Sequence, residues 1–128
     1  MPVLATCAGV ILVARELAHD DGSLKVEPLG VLDVRVERNA YGRQVDSFEE
    51  DVEVDWRALG QSDQPPLNAH FIRAPLIRDP GAEIQILAKR GAEIVLVRQG
   101  NILGATFHPE IAGDYRLHGI LQELAANR

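Results

Sequence analysis

Val3 to Thr6 is short, apolar and β-compatible, and it passes with no turn signal into Ala8 to Ala18. In that second stretch Val10, Ile11, Leu12, Val13 and Leu17 are too continuous to leave the polar stripe a surface helix needs. The pattern predicts a strand that turns sharply into a buried helix over residues 8–18. The only cysteine of the chain, Cys7, stands at the junction. Any fold adopted must cover this helix on all sides, so a packed core is expected. With 46% hydrophobic against 25% charged residues, the composition is that of a globular protein and not of a disordered one. Its 128 residues suffice for one compact domain, residues 1–128, around a single core.

Further along, "HDDGS" is a turn, and Val31 to Glu37 spaces its apolar residues for a strand. An irregular "RNAYGRQ" then leads to "VDSFEEDVEV", and the two strand-like runs suggest a β-hairpin across that loop. "GQSDQPP" is the clearest loop, and Pro75 after Phe71-Ile72 marks a strand end, since a central strand needs the amide that proline lacks. Three strands follow, Ile84 to Ala88, Ile94 to Arg98 and Ile102 to Phe107, the last two joined by Gly100-Asn101, a two-residue hairpin signal. Asp114 to Ala126 carries Leu117, Ile120, Leu121 and Leu124 at helical spacing, with Asp114 placed to cap it.

Several function classes are excluded at this level. A net charge of −6 opposes non-specific binding to nucleic acid, and Arg35, Arg38 and Arg43 are too few to form a phosphate-binding face. One cysteine makes no intrachain disulfide, and no stretch approaches the ~18 apolar residues of a membrane helix, so a reducing, cytoplasmic setting without a membrane partner is expected. The first residues lack the features of a signal peptide. Scattered histidines and one cysteine supply no zinc pattern, and no glycine loop cradles a phosphate, so neither metal nor cofactor is expected.

Two stretches could carry chemistry. At a helix N-terminus the unpaired amides and the helix dipole favour a thiolate, and after a sharp strand-to-helix turn the Ala8 amide faces the same space and could donate to an oxyanion. The alternative is that Cys7 fills a buried site as a small hydrophobe. In "TFHPE", Pro109 pushes His108 into an extended conformation, so His108 and Glu110, two apart, project to one side as a base and its orienting carboxylate. Equally, His108 could be a surface residue at a strand end. The arginines of Arg38 to Gln44 could hold a substrate carboxylate or simply face solvent. His19 and His70 fall in turn-like stretches and His118 rides the last helix; all three read as solvated.

Together, "ATCAGVILVA", "LGVLDVRVERNAYGRQVDSFE", "FIRAP" and "VRQGNILGATFHPE" resemble the glutaminase subunits of pyridoxal 5′-phosphate synthase, the PdxT/SNO family of class I glutamine amidotransferases. The resemblance implies a flavodoxin-like, three-layer α/β/α fold with a mixed sheet. By resemblance Cys7 is the nucleophile, His108 the general base and Glu110 the third member of a triad. Arg38 then contacts glutamine, and Ile72 with Arg73 lines the glutamine pocket through the backbone. The implied reaction hydrolyses glutamine to glutamate and ammonia, and the ammonia passes to a separate (β/α)8 synthase subunit. Pyridoxal phosphate is then the partner's product and not a cofactor of this chain. The family also carries a longer N-terminal βα portion with a glycine-rich loop of "GGES" type that is thought to supply a second oxyanion donor. Without it, Val3 to Thr6 is expected to present an unpaired edge.

Overall fold

A computed structural model describes residues 2–18, 29–37, 47–72 and 74–126. β1 (Val3–Thr6) leads through Cys7 into α1 (Ala8–Val13), and β2 (Ala14–Ala18) follows at once. The chain continues with β3 (Leu32–Glu37), β4 (Ser47–Val52), a 3₁₀ turn at Trp56–Leu59, β5 (Leu67–Ile72) and β6 (Leu76–Arg78). β7 (Gln85–Arg90), β8 (Glu93–Gln99), β9 (Ile102–Ala105), a second 3₁₀ turn at Glu110–Ala112 and α2 (Arg116–Ala126) complete it.

Two sequence expectations are corrected. The helix expected over 8–18 ends at Val13, where Ala14 turns extended at φ −62° and ψ 161°. Residues 14–18 instead pair in parallel with β3, Leu17 opposite Val36. The β-branched Val10, Ile11 and Val13 give the helix little propensity to continue, and the edge of β3 offers ladder bonds in its place. Arg15 bonds Asp33 at 2.7 Å and Glu16 lies 2.7 Å from Arg35, so the polar pair of this segment faces cross-strand partners. The expected hairpin between the Val31 and Val45 runs does not form. β3 lies between β2 and β6, whereas β4 pairs antiparallel with β5 in a separate two-stranded sheet. The "RNAYGRQ" loop itself lies outside the described residues.

The main sheet runs β1-β9-β8-β6-β3-β2, with β7 on the other edge of β8. The three late strands and the Gly100-Asn101 turn form as the sequence suggests, Gly100 taking the positive φ of 58° that such a turn requires. β1 and β9 are parallel, Thr6 opposite Ala105. Among the described residues β9 is the only strand paired with β1, which leaves the other edge of β1 without a ladder.

Alternation along the strands divides the core. One face buries Ala5, Leu32, Val34, Val36 and Val97 against Val10 and Val13 of α1. The other buries Leu103, Ala105 and Phe107 with the β4–β5 hairpin and with Leu117 and Ile120 of α2. This is a mixed sheet with helices on both faces, an α/β fold. The site-bearing ends of β1 and β9 therefore rest on two packed layers.

α2 starts at Arg116, two residues later than expected, and Asp114 accepts from the Arg116 amide at 3.2 Å ahead of the capping position. The Arg116 guanidinium joins that turn to the proline loop, donating to Asp114 at 2.6 Å and to the Pro65 and Pro66 carbonyls at 2.7 and 2.9 Å, with the Trp56 ring 4.7 Å away. Arg116→Ala is expected to cost about 2 kcal/mol in urea unfolding, and Arg116→Lys most of that, because an ammonium cannot reproduce the planar fork. The hydrogen bond from Arg116 holds the Asp114 carboxyl below its usual range, against desolvation that pushes it up. Since the folded carboxyl titrates below the unfolded one, its contribution is complete above about pH 4 and disappears as the pH falls through the folded value. The stability gap between wild type and Asp114→Asn should therefore close in acid.

Candidate active site

Cys7 takes φ 51° and ψ −116°, a conformation that non-glycine residues rarely adopt. Asp79 is the other described non-glycine residue at positive φ, and it lies in the loop after β6. The Cys7 amide is anchored to the Ala105 carbonyl of β9 at 2.8 Å, and its carbonyl accepts from Val10 at 3.1 Å, so the residue is fixed on both sides of the bend. A strained, over-determined elbow between strand and helix is the geometry that exposes a nucleophile and aims the next amide at the same space. That next amide belongs to Ala8, the first residue of α1, where amides have no helical partner.

Because β1 and β9 are parallel, the chain leaves both at the same end of the sheet. Beyond β9, His108 donates its amide to the His70 carbonyl at 2.8 Å in an isolated antiparallel bridge to β5. The Cys7 thiol donates to the Ile72 carbonyl of the same strand at 3.4 Å. Carbonyls two residues apart on an extended strand point to the same side, about 7 Å from one another. The edge of β5 thus holds the cysteine sulfur and the histidine backbone next to each other.

The His108 Nδ1 lies 3.1 and 3.3 Å from the two Glu110 carboxylate oxygens. A carboxylate only accepts, so Nδ1 carries a proton, and in the neutral ring Nε2 presents its lone pair. An imidazole in this state can take a proton from a thiol and return it to a leaving group.

Of the residues singled out in the sequence, Cys7 is joined to Ile72 by a hydrogen bond, Ala8 follows Cys7 at the start of α1, and His108 is joined to Glu110. Arg38 and Arg73 lie outside the described residues, as does His19. His70 corrects its sequence reading. It sits on β5, partly buried, and its Nε2 lies 3.1 Å from Asn68 Oδ1 and 3.3 Å from Glu49 Oε2. The alternation of Leu67, Ala69 and Phe71 with Asn68 and His70 was the signal that this stretch is a strand. His118 is also partly buried, with its Nδ1 sealed from solvent and its ring edge-on to Tyr115 at 5.4 Å. A hollow of about 250 Å³ lined by Phe48, Glu49, His70 and Ile72 adjoins the site. A larger one, about 580 Å³ and lined by Glu53 to Asp55 and Ile86 to Lys89, contains none of the residues named here as reactive. Among the described residues no helix is long and apolar enough to cross a membrane.

A cysteine elbow and a His-x-Glu segment at the carboxyl ends of adjacent parallel strands, in a mixed sheet with helices on both faces, define an α/β fold of the class I glutamine amidotransferase type. A solved structure described as a glutamine amidotransferase superposes with a TM-score of 0.82 at 46% identity, covering 98% of this chain and 61% of that one. The SNO glutamine amidotransferase family model matches residues 1–125, and the chain belongs to that family. Proteins called pyridoxal 5′-phosphate synthase subunit PdxT are similar to it. The one from Thermotoga neapolitana is 51% identical over 97% of this chain and 61% of its own length. Those from Pelotomaculum thermopropionicum and Streptomyces avermitilis are 50% and 45% identical over 92% and 100% of this chain, and 56% and 61% of their own lengths. The chain spans about three fifths of the length of these relatives.

Proposed function

We propose that this chain hydrolyses the side-chain amide of L-glutamine and supplies the ammonia to a (β/α)8 synthase subunit that builds pyridoxal 5′-phosphate in the cytoplasm. The observation that carries the reading is the shared edge of β5, whose His70 and Ile72 carbonyls hold the His108 amide and the Cys7 thiol. His108 Nε2 takes the thiol proton, and the Cys7 sulfur attacks the carboxamide carbon. The oxyanion meets the Ala8 amide, a kind of donor whose loss typically costs about 100-fold or more in rate. As the C–N bond breaks, His108 returns the proton and ammonia leaves. A water molecule, deprotonated by His108, then cleaves the γ-glutamyl thioester, releasing glutamate and restoring the thiol. Glu110 keeps the imidazole in the required tautomer through both halves. Arg38 binds the substrate's α-carboxylate, and the backbone of Ile72 and Arg73 lines the pocket.

The burial of Cys7, 9% exposed, favours a second reading, in which the thiol fills a core site and the chain binds the synthase subunit without hydrolysing glutamine. Glutamate release, measured with and without the synthase subunit and with Cys7→Ala as control, separates the two. For a glutaminase, the wild type should release glutamate above the Cys7→Ala background. Equal background from both, with retained synthase binding, establishes the binding module instead.

A further inference from the structure

Thr106 lies fully buried between the carbonyl that anchors Cys7 and the candidate base, and its Oγ1 has no hydrogen-bond partner among the described residues. A sealed, unpaired hydroxyl is a standing cost to folding, and such groups in a site call for a functional explanation. The register gives its position. Thr6 is opposite Ala105, the Cys7 amide reaches the Ala105 carbonyl, and the Thr106 amide stays on the β8 ladder through Val95 at 3.0 Å. Cys7 and Thr106 are therefore the residues that directly follow the last paired position, Thr6 opposite Ala105, of two adjacent parallel strands. Alternation puts the Thr106 side chain on the same face as Gly104, where an added Cβ would meet Leu32, Val97 and Val10 of α1. The hydroxyl is thus on the face of the sheet that α1 covers, and Cys7 is the residue from which α1 starts.

The neutral thiol donates a hydrogen bond to the Ile72 carbonyl, an acceptor that a thiolate cannot use. Once His108 has removed that proton, sulfur and carbonyl oxygen repel each other, and rotation about the Cys7 χ1 moves the sulfur to another staggered position. We infer that Thr106 is a further catalytic residue, whose hydroxyl donates a hydrogen bond to the Cys7 thiolate. This rests on reading Cys7 as the nucleophile. Among the described residues, the ionisable groups on the elements next to Cys7 are His108 and Glu110 beyond β9, an ion pair, and His70 of β5 with Glu49 of β4, another; α1 has no acidic residue in its first turn.

With one cysteine in the chain, alkylation by iodoacetamide followed by intact mass reports Cys7 alone. Across about pH 5 to 9, Thr106→Val should move the alkylation midpoint upward, so that the rate at the acidic end falls about tenfold, while Thr106→Ser restores the wild-type profile. Valine removes an unpaired buried hydroxyl at nearly constant volume, so the variant should unfold in urea no earlier than the wild type, as followed by the single tryptophan, Trp56. Thr106→Ala provides a second form without the hydroxyl and should show the same upward shift. Superimposed wild-type and valine profiles overturn the inference, and so does an equal shift in the serine form, which would make packing the cause. Shifted profiles with no glutamate release from any form would remove the glutaminase reading and keep the thiolate contact. Glutamate release from the wild type with superimposed profiles would do the reverse.

Discussion

On the proposed mechanism, replacing His108 with alanine is expected to lower the turnover of glutamine by roughly four orders of magnitude or more, with little change in KM. In a nucleophile–base–orienter unit the base is used in every proton transfer, and its loss costs about as much as loss of the whole unit. Glu110→Gln tests a finer point. The side-chain amide introduced by that change could donate its N–H to His108 Nδ1 and so stabilise the tautomer whose proton sits on Nε2, which is the wrong one for accepting from a thiol. The expected loss is about 10²- to 10⁴-fold in kcat, again with KM held, since in the proposed mechanism neither side chain binds the amino-acid end of the substrate. Steady-state glutamate release in the presence of the synthase subunit checks both. A rise in KM with kcat unchanged would mean that these groups bind substrate without moving its protons.

How much of this was legible in the sequence depended on how local each signal was. The β8–β9 hairpin was readable because Gly100-Asn101 determines it within two residues, and α2 because Leu117 and Ile120 recur at helical spacing behind Asp114. The elbow was readable for the same reason, as a strand pattern meets a helix pattern at one cysteine. β2 was not. Val10 to Leu17 is so rich in apolar residues that neither a period of 2 nor one of 3.6 stands out, and the open edge of β3 decided the outcome. The partner of β4 was equally hidden, because antiparallel pairing with β5 is settled by burying Phe71 and Leu67 in the core and not by the shorter loop back to β3. Thr106 is one polar letter in an apolar run. Its importance lies in its neighbour across the sheet, and only the parallel register between β1 and β9 reveals that neighbour.

Phe107→Ala should be the most damaging change to the fold, costing about 3–5 kcal/mol in urea unfolding out of the roughly 5–15 kcal/mol typical of a domain. The ring is fully buried, lies 5.6 Å from that of Phe71, and Phe71 stacks on Phe48 at 4.9 Å. This aromatic row fastens the segment beyond β9 to the β4–β5 hairpin, so the cavity left by alanine would open between the two elements that bring Cys7 and His108 together. Phe107→Leu retains most of the apolar volume and should cost about 1.5 kcal/mol or less, leaving the protein folded. Its activity should nevertheless fall further than its stability, because His108 is the next residue and its placement depends on the seat of that ring. A leucine variant that lost stability but kept full turnover would show that the bridge from the His108 amide to the His70 carbonyl positions the base without help from the core beneath it.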